Sequence, residues 1–128
     1  IMGRKTYEQV LSFGRWPYGK TPVIVQSRHP MAIPAHLSAT VTHSSASPEE
    51  LHDRLAAQGM KRLYIDGGTT IQRFLAAGLI HDITITLIPV ILGSGIPLFG
   101  GLAHDVALRH VSTVNYDFGF IQLTYEVV

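Results

Sequence analysis

The sequence contains no cysteine. That absence excludes disulfides, thiolate metal sites and a cysteine nucleophile together, and it agrees with a reducing compartment, so the cytoplasm is the expected location. Long apolar runs are missing as well. The stretch from Ile83 to Leu92 is broken by threonines and a proline and falls well short of the ~20 residues that cross a bilayer. No membrane segment is expected. Charge of one sign is also scarce: the net charge is +1, and no basic run interleaved with aromatics supplies a local footprint for nucleic acid. Partners should be small molecules or protein. The seven histidines show no H-E-x-x-H or other paired ligand spacing, so no metal site is expected. There is no G-x-G-x-x-G, the dinucleotide fingerprint of the Rossmann fold. Ser94 in "LGSGIP" lacks the strand–turn–helix setting of a nucleophile elbow.

What remains is an ordinary globular composition, 46% hydrophobic and 15% charged over 128 residues, enough for one domain with a real core. The chain opens on "IMGRKTYEQV", where Ile1 and Met2 read as the end of a strand without an initiator methionine at position 1; an N-terminal segment is expected to be missing. Apolar residues Tyr7, Val10, Leu11 and Phe13 then predict a helix over Thr6 to Phe13, stopped by Gly14. After the loop "GRWPYGKTP", "VIVQS" reads as a buried strand closed by "RHP", and a short strand is expected around Thr40 to Thr42. In "SPEELHDRLAAQG", Ser47 is an N-cap, Pro48 takes the first helical position, Glu50 completes a capping box and Gly59 ends the helix. "RLYID" reads as a buried strand, "TTIQRFLAA" as a helix ended by Gly78, and "DITITLIPV" as another strand. This βαβ alternation with short connections implies a mainly parallel sheet flanked by helices. The last two runs, "ALRHVSTVNY" and "FIQLTYEVV", lie either side of Asp117, Phe118 and Gly119 and predict a C-terminal antiparallel hairpin.

Three strand ends carry the chemistry. Gly3, Arg4, Lys5 and Thr6 stand between a strand end and a helix start, where free N–H groups and the helix dipole favour anions; the plainer alternative is a surface helix that happens to carry basic residues. Ser27 and Arg28 close the next strand, and a forked guanidinium beside a hydroxyl suits a phosphate monoester. Taken singly that pair is commonplace. At the third strand end come Asp66, Gly67, Gly68, Thr69 and Thr70, glycines that let a pyrophosphate or flat ring approach the main chain; a tight turn with a solvated Asp66 would read the same way. Trp16 and Tyr18 either wall a flat substrate or pack in their Pro/Gly loop.

"IMGRKTYE" resembles the helix-opening motif of dihydrofolate reductases, and "SR" after the second strand matches that family's adenosine-phosphate site. "IDGGTTIQRFLAAGLIHDITITLIPVILGSGIPLFG" is closer still to the reductase domain of the riboflavin-biosynthesis enzymes and its stand-alone bacterial relatives. The resemblance runs from Ile1 to about Gly100 and is weakest between Pro30 and Lys61. Before the double glycine, where dihydrofolate reductases have an apolar residue, this chain has Asp66, an acid as in the riboflavin-pathway reductases. Lys20 is the nearest counterpart to the arginine that grips folate.

The resemblance implies a three-layer dihydrofolate reductase-like α/β fold that binds NADPH. Gly3 to Thr6 and Ser27 to Arg28 would lie around the adenosine and pyrophosphate, and Gly67 to Thr70 beside the pyrophosphate and nicotinamide. It further implies hydride transfer to a small heterocyclic or sugar-derived substrate, pterin/folate-like or pyrimidine-ribosyl-like, with Asp66 as the acid near the transfer. Related reductases are commonly homodimers, and the alternating apolar run Phe120 to Val128 offers a β face or edge for one. The reading from another class is a nucleotide-binding module that keeps the cradle without turnover.

Overall fold

The computed structural model describes all residues 1–128. Strand alternation sets its first half. In β2 (Val23–Gln26), Val23 and Val25 turn to one face and Ile24 to the other. β1 (Met2–Gly3) and β3 (Val41–Ser44) flank β2, both parallel to it, with Met2 opposite Val25 and Val23 opposite Val41. The first face packs Met2, Val23, Val25 and Val41 against Tyr7 of α1 (Arg4–Ser12) and against Leu37. The second face packs Ile24 against Leu51 and Leu55 of α2 (Pro48–Ala57) and Phe74 of α3 (Gly68–Ala76). Helix, sheet and helices therefore form three layers around two small cores.

α2 keeps the cap read from its sequence. The Ser47 hydroxyl accepts from the Glu50 N–H at 3.2 Å and the Glu50 carboxylate accepts from the Ser47 N–H at 2.9 Å. α1 starts at Arg4 rather than Thr6. Arg4, Lys5 and Thr6 are thus the first helical turn, because Gly3 in extended geometry serves as N-cap and leaves the next residues free to coil. The strand expected near Thr40 to Thr42 runs from Val41 to Ser44.

The chain's second half departs further from the βαβ pattern. "RLYID" is not a full strand: a single parallel bridge joins Asp66 to Met2. β4 (Asp82–Leu87) ends five residues after it begins, ahead of Pro89, and pairs antiparallel with β6 (Ile121–Val127) instead of entering the parallel sheet. β5 (Leu108–Asn115) pairs with the other side of β6, giving the order β4-β6-β5. The expected hairpin is β5–β6, turning through Gly119 at φ +94°. Pairing Ile83 with Tyr125 and Ile85 with Leu123 gathers one apolar face, while Thr84 with Thr124 and Thr86 with Gln122 form the polar one. All 15 buried residues lie between Met2 and Leu75, so no residue of this sheet is fully buried. No helix is long and apolar enough to cross a membrane.

Candidate functional site

Parallel strands aim their C-terminal ends the same way, so the turns that follow β1, β2 and Asp66 share one edge of the sheet. Two of these turns interlock. Gly67 has φ +90°, a conformation side chains rarely adopt, and a Cβ placed there would lie 2.5 Å from Thr6 Oγ1 and 3.7 Å from the Gly3 nitrogen. Reciprocally, a Cβ on Gly3 would meet Thr70 Oγ1 at 2.9 Å. Gly3, Thr6, Gly67 and Thr70 therefore come together as one floor, each glycine packed against a threonine side chain of the other turn, whereas Gly68 opens on empty space.

The helix termini at this floor differ from the one elsewhere. α2 carries two acids in its first turn and a complete capping box. α1 and α3 have glycine N-caps, no side-chain cap bond and no acid in the first turn. Their leading N–H groups are left for solvent or an anion, and the positive ends of both dipoles converge on the same place. Cationic side chains stand around it. Arg4 is held by Glu8 at 2.7 Å, an exposed i,i+4 pair of the kind that contributes little. Lys5 and Arg28 are exposed and make no ion pair.

Ser27 continues β2 by one bond, its N–H donating to the Ser44 carbonyl at 3.1 Å. Its hydroxyl is used locally: it donates to the His29 carbonyl at 2.9 Å and accepts from the His29 N–H at 3.2 Å. Arg28 lies within that turn. His43 Nε2 lies 2.9 Å from the Ser27 carbonyl and ties the end of β3 to this turn.

Asp66 sits at the mouth of the floor, half-buried. One carboxylate oxygen accepts from the Gly67 N–H at 2.7 Å, and the other lies 3.5 Å from the Tyr18 hydroxyl. The second contact is long enough to be weak as it stands. Burial, then the charges of Asp66 and Tyr64, push the Tyr18 phenol above its ordinary range. Tyr18 therefore remains a donor toward Asp66 across neutral pH. The ring is positioned by Trp16, whose centroid is 5.1 Å away, and Trp16 by Tyr7 at 6.0 Å, both edge-on.

The reach of the Tyr18 hydroxyl to Asp66 has no signal in the sequence, because a Gly/Pro loop gives no period from which direction can be read. His43 was passed over because it pairs with no other ligand, and its partner is a carbonyl. The "LGSGIPLFG" stretch reaches α3 through Gln72, whose amide donates to the Leu98 carbonyl at 3.2 Å, and a Cβ on Gly100 would lie 2.5 Å from Gln72 Oε1, so a side chain there would displace the Gln72 amide.

Known proteins are similar to this chain. Uncharacterized protein YwjB of Bacillus subtilis (strain 168) is 32% identical over 118 residues, 91% of this chain and 66% of that protein. Uncharacterized protein YyaP of the same strain is 32% identical over 67 residues, 52% of this chain and 36% of that protein. The chain thus spans about two thirds of the first relative and about a third of the second. A crystal structure from Shewanella sp. PV-4, described as that of a candidate riboflavin biosynthesis protein, superposes with TM-score 0.92 at 38% identity, covering 99% of this chain and 72% of that one. A pyrimidine reductase-like protein from Corynebacterium diphtheriae has the same fold, with TM-score 0.66 at 18% identity over 99% of this chain and 74% of its own. The RibD C-terminal domain matches residues 16–121. That match begins at Trp16, in the loop that brings Tyr18 to Asp66, and ends at the first residue of β6, so it takes in most of the chain: the protein belongs to the RibD C-terminal domain family.

Proposed function

We propose that this protein is an NADPH-dependent reductase acting in riboflavin biosynthesis or on a chemically similar substrate, a small heterocyclic or sugar-derived compound of the pyrimidine-ribosyl or pterin/folate type. The observation that carries this reading is the interlock of Gly3, Thr6, Gly67 and Thr70 at one sheet edge. That interlock sets side by side two helix N-termini with no acid in their first turn, an arrangement that suits a pyrophosphate. Family membership and the riboflavin-biosynthesis description of the Shewanella protein point to the same chemistry.

Gly67 to Thr70 and Gly3 to Thr6 would hold the pyrophosphate, and Arg28 with Lys5 the 2′-phosphate. A reduced nicotinamide bound in this way supplies the hydride. The protein's part is placement and proton supply. Asp66, fixed by the Gly67 N–H and faced by Tyr18, is the acid beside that position and can hold a proton for the substrate or orient one of its polar groups. The direct test is a screen of NADPH oxidation against pyrimidine-ribityl compounds, pterins and folates; no oxidation with any of them would overturn the reductase reading.

Cofactor choice should follow from the same side chains. Arg28 makes no other ion pair, so a 2′-phosphate would be its first fixed partner. A charge-assisted bond contributes ~1.5–3 kcal/mol, and exposure puts this one at the lower end, so Arg28→Ala should weaken NADPH binding about tenfold and leave NADH binding unchanged. Fluorescence titration with both cofactors checks this. Equal wild-type affinity for the two would remove the assignment.

The antiparallel sheet supports a homodimer. Ile83, Ile85, Leu123 and Tyr125 share its apolar face and are only half-buried, and Val111 on β5 is 57% exposed. A face of this kind is usually covered by a partner. Light scattering at high micromolar concentration should give twice the chain mass, and a monomer there would refute it.

A further inference from the structure

Two polar atoms at the mouth of the floor are only half used. Asp66 Oδ1 accepts from the Gly67 N–H at 2.7 Å, but Oδ2 has one neighbour, the Tyr18 hydroxyl at 3.5 Å. That hydroxyl has no second partner, and Asp66 belongs to no ion pair. A phenol can donate one bond and accept more, and a carboxylate oxygen can accept two, so a contact this long leaves nearly all of their capacity open.

Neither atom owes its place to the other. Asp66 is set by its bridge to Met2 and by the Gly67 turn. Tyr18 is set from elsewhere in the chain: the Thr21 N–H donates to its carbonyl at 3.0 Å, and its ring leans edge-on against Trp16, which leans in turn on the buried Tyr7. A pair kept only to hold the fold together would have closed to a short charge-assisted bond of about 2.5–2.7 Å. This one is held apart, with a donor beside an acceptor and both half-buried. The raised phenol keeps its proton across neutral pH, so the order donor–acceptor is fixed.

A fixed donor next to a fixed acceptor complements a group that carries an acceptor next to a donor. The N–H/C=O edge of a lactam or imide ring is such a group, and edges of this kind are read by paired bonds wherever bases are recognised. An anion would meet the Asp66 charge, and a cation would leave the Tyr18 proton unused. A sugar hydroxyl could bridge the two atoms, but it must freeze its own rotation to do so, whereas a ring edge arrives rigid.

We propose that Tyr18 is a specificity-determining residue of this site: together with Asp66 it reads the lactam edge of a flat heterocycle, the Tyr18 hydroxyl donating to the ring C=O and Asp66 Oδ2 accepting from the adjacent ring N–H. The inference rests on the reductase reading for the class of ring and adds the edge by which that ring is held. Pyrimidinediones and pterins both carry the edge. Rings alkylated at that nitrogen do not, and they should be rejected because Oδ2 is then left facing carbon.

Trp16 is the only tryptophan and its ring lies 5.1 Å from that of Tyr18, so its fluorescence reports occupancy of the pair. The probes are 1-methyluracil, which keeps the N–H between its two carbonyls, and 1,3-dimethyluracil, which has no N–H, each titrated with and without NADP+. The second should bind at least ~10-fold more weakly than the first. Tyr18→Phe keeps the ring against Trp16 and removes only the hydroxyl; it should weaken 1-methyluracil ~10-fold and leave 1,3-dimethyluracil unchanged. Thermal melts check that this variant folds, and the comparison of the two probes in the wild type needs no variant. Equal wild-type affinity for the two, or no response to 1-methyluracil up to its solubility limit, would overturn the proposal. An equal loss of both probes in Tyr18→Phe would also overturn it, by making Tyr18 a wall, and displacement of 1-methyluracil by ribitol would assign the pair to a sugar hydroxyl instead. These results are separable from the reductase reading: an absence of NADPH oxidation with every substrate leaves the probe affinities as they are, and equal probe affinities leave NADPH oxidation as it is.

Discussion

Gly67→Val is expected to abolish NADPH binding. Two effects act together. At φ +90° and ψ 132° the backbone is in a region that side chains rarely enter, which costs about 1–3 kcal/mol for a non-glycine residue and more for a β-branched one. The new Cβ would also fall 2.5 Å from Thr6 Oγ1, so the α1 turn, the α3 turn or both must move apart. Moving either one separates the two helix N-termini whose convergence makes the proposed anion site. A loss of more than about 100-fold in affinity is expected, since several charge-assisted bonds go at once. Thermal melts show whether the fold survives. Thr6→Ala in the same background removes the atom nearest the new Cβ. Recovered folding without recovered binding would place the loss at the ligand, and wild-type affinity in Gly67→Val would show that the turn faces no cofactor.

The turns were legible in the sequence because turn chemistry is local. Ser47, Pro48 and Glu50 announce α2 through bonds made within four residues, and the structure forms each of them. Gly67 signals its turn just as locally, since glycine's freedom is a property of the residue itself. The pairing of β4 was not legible. "DITITL" alternates apolar and threonine residues as an edge strand or a central one would, and its partner, β6, lies more than thirty residues further on. Period alone says which side chains share a face and not which strand will lie alongside. "RLYID" failed for a related reason: its apolar side chains reach the Leu51 and Phe74 core as a strand's would, but its outer edge meets no ladder. At the site, the glycines and Asp66 could be listed from the chain, whereas the contact of Gly67 with Thr6, sixty-one positions apart, and the approach of Tyr18 to Asp66 are products of the sheet order.

Asp66→Asn should leave NADPH affinity within about threefold of wild type and lower the single-turnover rate of hydride transfer by ~10²–10⁴, the range for a positioned acid–base group. The amide is nearly the same shape. Its oxygen can keep the 2.7 Å bond from the Gly67 N–H, so the turn and the floor built on it stay in place. The amide nitrogen then meets Tyr18, whose hydroxyl can accept from it. What the substitution removes is a group able to give up a proton or carry charge beside the substrate. A nucleotide-binding module without turnover would behave differently, with no reaction to slow in either form. A solvated Asp66 that only closes its own turn predicts wild-type kinetics. The decisive combination is binding against chemistry: weaker NADPH binding with single-turnover rates intact would make Asp66 a structural residue of the Gly67 turn, and the proton would then have to come from a side chain other than Asp66. Unchanged binding with a slow chemical step leaves the carboxylate as the group that acts on the substrate, because its neighbours, its position and its hydrogen bond to Gly67 are all retained in the variant.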